Sequence, residues 1–173
     1  MKSAPLVLAE CPDTQFVIVG DGVMRDELVA LVKQTGISDK VIFIGSIPYK
    51  RVPLYINASD VCVAPFRGER NERTGLSPLK LCEYLACERP VVTSAISGLG
   101  FIESQLAGIL VTPDDFQELA NAIIKLLRAP DLRKKMGENG RRYVVEERSW
   151  ESVARKVAVV CQQAAEVHRG LDH

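Results

Sequence analysis

The sequence is poor in histidine and aromatic residues, carries no net charge and contains no long apolar run. It has two histidines in 173 residues, with no His and Cys side chains at metal-ligand spacing, so no metal site is predicted. Twenty-two basic and twenty-two acidic residues cancel, so no overall field directs the chain to nucleic acid or to an anionic membrane. Because no apolar stretch approaches about eighteen residues and no basic start precedes an apolar core, neither a membrane-spanning helix nor a secretion signal is predicted.

The five cysteines are odd in number and form no CxxC pair: Cys11, Cys62, Cys82, Cys87 and Cys161. This pattern favours reduced thiols in an apolar core over a disulfide framework, and we therefore expect a cytoplasmic protein. Neither Cys82 nor Cys87 has a neighbouring base that would activate a thiol, so nucleophilic catalysis by cysteine is not expected. The chain is 47% hydrophobic, and its length suits one domain covering residues 1–173.

Short apolar runs rich in β-branched residues alternate with amphipathic helical segments along the chain. Strands are predicted at residues 15–19, 41–44, 60–64, 90–93 and 108–111. Helices are predicted at residues 25–35, 52–57, 78–87, 114–127, 131–148 and 150–168. This alternation predicts an α/β fold of the doubly wound, Rossmann-like class, in which helices cover both sides of a parallel sheet.

The first apolar run, Leu6 to Ala9, is too short for its periodicity to distinguish a strand from a helix. Five residues, 10–14, separate it from the next strand, whereas a parallel pair needs a crossover of about a dozen residues or more. We therefore predict the tail of a helix. The chain would then open partway through a βαβ unit, truncated at its N-terminal edge.

The C-terminal helix at residues 150–168 is predicted from its amphipathic pattern. Ser149 precedes this helix and suits its cap position. Trp150, the single tryptophan, is expected to anchor the helix by packing rather than to bind a ligand.

Polar loops, most of them rich in glycine, follow four of the predicted strands: GDGVM, GSIPY, PFRGERNERTGLS and TSAISGLG. In open α/β sheets a ligand binds outside the carboxyl ends of the strands, where such loops meet. Glycine lets the backbone approach a ligand closely, but tight turns also select it. A ligand site and simple turns therefore both remain as explanations of this pattern.

The stretch RTGLSPLKLCEYLACERPVV places a helix start directly after the longest of these loops. Ser77 suits the cap position of this helix and Pro78 its first helical position. The free N–H groups at the helix start would face the crevice, where phosphate binds readily, and Lys80 adds a positive charge. Lys80 and Glu83 share a helix face, either as an exposed ion pair or as a diphosphate-binding lysine and a sugar-binding acid.

Four blocks of the sequence together resemble a known family: FVIVGDG, VIFIGSIPYKRVPLYINASDVCVAPF, GLSPLKLCEYLACERPVVTS and GILVTPDDFQELANAIIKLL. In this order and spacing they are similar to the C-terminal, donor-binding half of retaining GT-B glycosyltransferases of the group 1 type. The trailing MGENGRRYVVEERSWESVARKV resembles the usual ending of that family. The resemblance therefore runs from Gln15 to about Val160.

The resemblance implies a nucleotide-diphosphate sugar as the donor substrate, no metal and no further cofactor, and an acceptor held by a separate N-terminal domain. It places Glu83 at the ribose hydroxyls of the donor and makes Lys80 the catalytic cation beside the diphosphate. The other donor-contacting positions that it implies are Gly75, Leu76, Ser77, Pro78 and Leu79 around the helix start, and Gly20, Gly22, Ile47 and Pro48 on the nucleotide side.

Two departures from the family pattern bear on activity. Gly75 stands where the family commonly has a glutamate that contacts the transferred sugar. Glu72 is the candidate to take over this catalytic role, and a solvated loop is the alternative. The family's opening strand, its basic glycine-rich loop and the acceptor domain do not appear in the sequence, so the chain alone is expected to be inactive. Contact with a membrane is expected only through that missing domain.

Two rival functions remain beside the donor-binding one. A noncatalytic nucleotide-binding or protein-interaction module of the same fold would account for Gly75 and for the missing acceptor domain. A nucleotide-sugar epimerase of similar architecture is disfavoured, because the SPLKLCEYLA block resembles the transferases.

Overall fold

The computed structural model describes residues 1–66 and 78–171, the last five of them as backbone only. The strands are β1 (Phe16–Val19), β2 (Val41–Gly45), β3 (Cys62–Ala64), β4 (Val91–Ser94) and β5 (Gly108–Val111). The helices are α1 (Ala4–Glu10), α2 (Arg25–Gln34), α3 (Val52–Ala58), α4 (Leu79–Ala86), α5 (Phe101–Ser104), α6 (Phe116–Leu127), α7 (Pro130–Glu147) and α8 (Trp150–Leu171). Short 3₁₀ turns occupy Ser38–Lys40 and Tyr49–Arg51.

The strands run parallel in two hydrogen-bonded groups. β1 pairs with β2, and β4 lies between β3 and β5. Among the described residues no ladder joins β1 to β3, so the single sheet expected from the sequence is divided. Parallel strands linked by helices are nevertheless the predicted pattern, and the α/β class is confirmed.

Most element boundaries agree with the sequence prediction to within two residues. The strand at Gly108–Val111 is observed at the predicted residues, and the run from Leu6 to Ala9 lies in α1, which confirms the predicted helix tail. Gly36 ends α2 with a φ of +70°, a left-handed conformation that glycine adopts without steric cost. Helix α4 begins one residue later than predicted, because Pro78 occupies its cap rather than its first helical position.

Apolar side chains alternate between the two faces of β4 and are covered on both. Val91 packs in a cluster with Leu81 and Leu85 of α4. The next residue, Val92, packs in a cluster with Leu119 of α6. Because successive residues of a strand point to opposite faces, α4 and α6 lie on opposite sides of this sheet. The predicted double covering is confirmed for these strands.

Phe16 of β1 connects the two groups of strands through the core. Its ring packs against the cluster that contains Val92 and also against the cluster that contains Val32 of α2. The opposite face of β1 is open, since Val17 is 48% exposed and Val19 is 37% exposed. The β1–β2 pair is therefore covered by helices on one face and exposed on the other.

The packing role expected for Trp150 is wrong. Ser149 does cap α8, because its hydroxyl accepts the N–H of Ser152 at 3.2 Å. Trp150 itself is 81% exposed, and Val157 and Val160 on the same helix are also exposed. The contacts of α8 within the described residues are mainly with α7, so the Trp150 side chain is not packed in a core.

No helix in the described ranges is long and apolar enough to span a bilayer.

We predict that Gly137→Ala destabilises the protein. A Cβ atom at Gly137 would overlap the backbone carbonyl of Glu88, in the turn after α4. Overpacking costs about 1 to 3 kcal/mol, more than the roughly 0.5 to 1 kcal/mol that alanine gains over glycine in a helix. Thermal unfolding should show a lower Tm, by about 2 to 4 °C for each kcal/mol in a chain of this size.

Gly100→Ala is the matched control, because a Cβ atom there meets nothing within 4 Å. Its Tm should stay close to that of the parent chain. A Gly137→Ala protein as stable as the control would contradict the close approach of α7 to the end of α4.

Candidate functional site

The loops at the carboxyl ends of β1 and β2 are joined through their glycines. The N–H of Gly20 donates to the carbonyl oxygen of Gly45 at 2.9 Å. Gly20 has a φ of +121° and Gly45 a φ of +78°, conformations that side chains disfavour. Both strands therefore end in tight turns that keep their following loops side by side.

A tyrosine from the loop after β2 reaches the helix that follows β3. The Tyr49 hydroxyl donates to Oε1 of Glu83 at 3.0 Å, and the two residues are 34 positions apart in the chain. Tyr49 is 73% exposed and Glu83 is half-buried. This contact brings a predicted site residue together with one that the sequence analysis missed, because no local spacing signals a pairing over such a distance.

Glu83 changes the acidity of its partner. The hydrogen bond to Glu83, followed by the negative charge of its carboxylate, raises the pKa of Tyr49 above its ordinary value of 10.0. Tyr49 is therefore a protonated donor at neutral pH. Because folding raises this pKa, the contact stabilises the fold below pH 10 and is lost as the pH rises through the folded-state pKa.

Lys80 lies toward the loop after β3. Its Nζ is 5.6 Å from the centroid of the Phe66 ring, in cation–π geometry. The N–H of Phe66 donates to Oγ of Ser94 at 2.9 Å, which ties this loop to the end of β4. Lys80 and Glu83 are both described, and they do not form the ion pair that was one explanation of their spacing.

The start of α4 carries backbone N–H groups that the helix itself does not bind. Pro78 caps the helix, and its carbonyl accepts the N–H groups of Leu81 and Cys82 at 2.9 and 3.1 Å. The N–H groups of Leu79 and Lys80 come before these and have no intrahelical acceptor. The Leu79 side chain at the helix start is 61% exposed.

The predicted nucleotide-side residues lie in open surroundings. A Cβ atom added at Gly20 or at Gly22 would meet nothing within 4 Å, and the N–H of Gly22 donates to its neighbour Asp21. Ile47 is half-buried and Pro48 exposed, directly before the turn that carries Tyr49. The predicted residues Glu72, Gly75, Leu76 and Ser77 lie outside the described residues.

The thiols near the site are not activated. Burial raises the pKa of the Cys82 thiol and also that of the Cys87 thiol. A raised pKa keeps a thiol protonated at neutral pH, whereas the thiolate is the nucleophile. The described residues contain no group of three His, Cys, Asp or Glu side chains that could hold a metal ion.

A surface depression of about 690 Å³ lies at the start of α6, lined by Lys2, Leu6, Asp114, Asp115 and Phe116 among others. None of the predicted site residues lines it. Among the described residues, the candidate site is defined by the contacts of Tyr49, Glu83, Lys80 and Phe66.

Curated relatives align along most of the chain. It is 35% identical to the alpha-D-kanosaminyltransferase of Streptomyces kanamyceticus over 73% of its length, which is 32% of that protein. It is 32% identical to a GDP-mannose-dependent phosphatidylinositol monomannoside mannosyltransferase of Corynebacterium glutamicum over 94% of its length, which is 42% of that protein. The chain therefore spans less than half the length of these relatives.

Solved structures share the fold. Sucrose-phosphate synthase of Thermosynechococcus elongatus superposes with a TM-score of 0.81 and 30% identity, covering 96% of this chain and 42% of that one. The C-terminal domain of a group 1 glycosyl transferase from Francisella tularensis superposes with a TM-score of 0.73 and 28% identity, covering 86% of this chain and 77% of that one. These neighbours are GT-B glycosyltransferases, and the Rossmann-like α/β architecture corresponds to the C-terminal half of that fold.

The family model for glycosyl transferases of group 1 matches residues 1–143. This match covers well over half of the 173 residues, and the two curated relatives are both transferases by name. The chain therefore belongs to the group 1 glycosyltransferases.

Proposed function

We propose that this chain is the donor-binding half of a retaining glycosyltransferase, which transfers a sugar from a nucleotide-diphosphate sugar to an acceptor. The observation that carries the proposal is the position of Glu83, whose carboxylate accepts a hydrogen bond from Tyr49 across the loops at the strand ends. A carboxylate at this edge of an α/β sheet can accept from the ribose hydroxyls of a nucleotide.

The start of α4 is proposed to hold the diphosphate. The N–H groups of Leu79 and Lys80, which have no acceptor within the helix, and the positive end of the helix dipole favour an anion there. The ammonium group of Lys80 adds a cation from the same turn. Donors already in place where the charge of the leaving diphosphate develops lower the barrier to transfer, and this arrangement needs no metal ion.

The comparisons support a nucleotide-sugar donor. The Corynebacterium relative is GDP-mannose-dependent by name, and the Francisella structure is named a C-terminal domain of this family. We propose that Gly20, Gly22, Ile47 and Pro48 lie on the nucleotide side of the donor. We propose the diphosphate side for Gly75, Leu76 and Ser77, and the contact to the transferred sugar for Glu72.

We propose that the acceptor-binding half and an additional strand lie in a part of the protein outside these 173 residues. The chain spans 42% of the Corynebacterium relative. Within the described residues, β1 and β3 each pair along one edge only, and Phe16 connects their sheets through a shared core. A further parallel strand between β1 and β3 would join the two groups into one sheet.

We propose a cytoplasmic location for the protein. All five cysteines are free thiols, which supports this location.

Removing the Glu83 carboxylate should weaken binding of the nucleoside diphosphate. Glu83→Ala deletes the proposed acceptor for the ribose hydroxyls, and hydrogen bonds to a charged group contribute about 1.5 to 3 kcal/mol. This corresponds to a roughly ten- to hundredfold higher Kd. Calorimetric titration of the 173-residue chain with UDP and with GDP measures the effect.

Glu138→Ala is the matched control, since this acid lies on α7, 4.0 Å from Lys134. It should bind as the parent chain does. If Glu83→Ala and Glu138→Ala bind with equal affinity, Glu83 is not part of the donor site.

The chain alone should bind the donor without turning it over. The acceptor contacts and part of the charge stabilisation are proposed to come from the other half of the protein. Incubation with UDP-glucose, UDP-N-acetylglucosamine and GDP-mannose should therefore release no nucleoside diphosphate. Release of nucleoside diphosphate by the 173-residue chain would contradict the proposal that turnover needs the other half of the protein. A longer protein that binds these donors but never transfers their sugars would favour the noncatalytic module instead.

A further inference from the structure

We propose that Tyr49 is a positioning residue, which holds the Glu83 carboxylate for the ribose of the donor and thereby sets how well the site distinguishes ribose from deoxyribose. This inference rests on the proposed function of Glu83 as the ribose acceptor. It assigns a role to a side chain that no spacing in the sequence indicates, and it is carried by the contact between the Tyr49 hydroxyl and Oε1 of Glu83.

Glu83 needs a partner to be held in one orientation. A glutamate side chain has several rotatable bonds, and fixing them costs conformational entropy. Within the described part of the chain, no cation is paired with the Glu83 carboxylate. The hydroxyl of Tyr49, at 3.0 Å, is therefore the described contact that restrains its orientation before a ligand arrives.

The backbone around Tyr49 is held in a defined turn. It follows Pro48, whose φ is −58°, and it opens the 3₁₀ turn Tyr49–Arg51. The N–H of Arg51 donates to the carbonyl of Pro48 at 2.8 Å, which closes this turn. A tyrosine side chain has two χ angles, so it presents its hydroxyl at a low entropy cost.

The tyrosine leaves the carboxylate able to bind ribose. An ionised carboxylate offers about four lone-pair sites on two oxygens. Tyr49 uses one of these at Oε1, so Oε2 and a further site remain for the two ribose hydroxyls. Tyr49 also stays a donor at neutral pH, because its ordinary pKa of 10.0 is already well above neutrality and Glu83 raises it further. Support of the carboxylate and binding of ribose are therefore compatible.

The test compares ribose with deoxyribose ligands. The 173-residue chain and its Tyr49→Phe variant are titrated calorimetrically with UDP, GDP and their 2′-deoxy counterparts. Tyr49→Phe keeps the ring and removes the hydroxyl, and Tyr49 is exposed enough that folding is not at risk. Tyr55→Phe is the matched control, a half-buried tyrosine in the neighbouring helix α3.

Tyr49→Phe should raise the Kd for whichever ribonucleoside diphosphate binds, by about three- to tenfold. Its Kd for the 2′-deoxy counterpart should rise by a smaller factor, because that ligand offers Glu83 only the 3′-hydroxyl. In the Glu83→Ala background, Tyr49→Phe should have no further effect. Tyr55→Phe should leave every affinity unchanged.

Three results would overturn the inference. An equal loss for ribose and deoxyribose ligands would show that Tyr49 contacts the base or merely supports the loop. Tighter ribose binding by Tyr49→Phe would show that its hydroxyl competes with the ligand. An unchanged affinity for both would show no role in binding.

The proposed function and this inference fail in different ways. If Glu83→Ala binds as well as the parent, or if the parent binds neither UDP nor GDP, then the proposed function fails and this inference with it. If Glu83→Ala weakens binding and Tyr49→Phe does not, only this inference fails. A spectroscopic titration checks the contact without ligand: Glu83→Ala should lower the pKa of Tyr49, and an unchanged pKa would show that the contact is absent in solution.

Discussion

The parallel direction of the strands is the constraint on which the candidate site depends. Because β1 and β2 are parallel, the loops that follow them begin at the same edge and lie side by side although they are far apart in the chain. The hydrogen bond from Tyr49 to Glu83 crosses from the β1–β2 group to the helix after β3. It links two groups of strands that share no ladder in the described residues.

One face of helix α4 is packed in the core and its opposite face is not. Leu81 and Leu85 are fully buried, and close approach of α7 at Gly140, where a Cβ atom would overlap Leu85, leaves the helix little room to shift. Lys80 and Glu83 are on the side that this packing leaves free. Burial of one side of the helix thus holds the other at the strand ends, as a preorganised binding site requires.

Local patterns predicted most of the elements but not the short helix α5 (Phe101–Ser104), and they did not predict contacts between residues far apart in the chain. The strand at Gly108–Val111 follows from its local apolar run, and it was predicted. Trp150 was expected to pack because tryptophan usually does, but whether a surface exists to receive it depends on the rest of the protein. Tyr49 was missed for the same reason, since its partner lies 34 residues away. The structure describes some of the positions predicted to contact the donor, and their role in binding stays a prediction.

The central claim is that the strand-end loops and the start of α4 bind a nucleoside diphosphate. Backbone amide signals in ¹H–¹⁵N NMR spectra, followed as UDP or GDP is added, test it directly in a chain of 19.1 kDa. The account predicts that the signals of Gly20, Gly45, Lys80 and Glu83 shift together while those around Phe116 stay in place. Shifts confined to the depression at Phe116, or spread over α8, would contradict it.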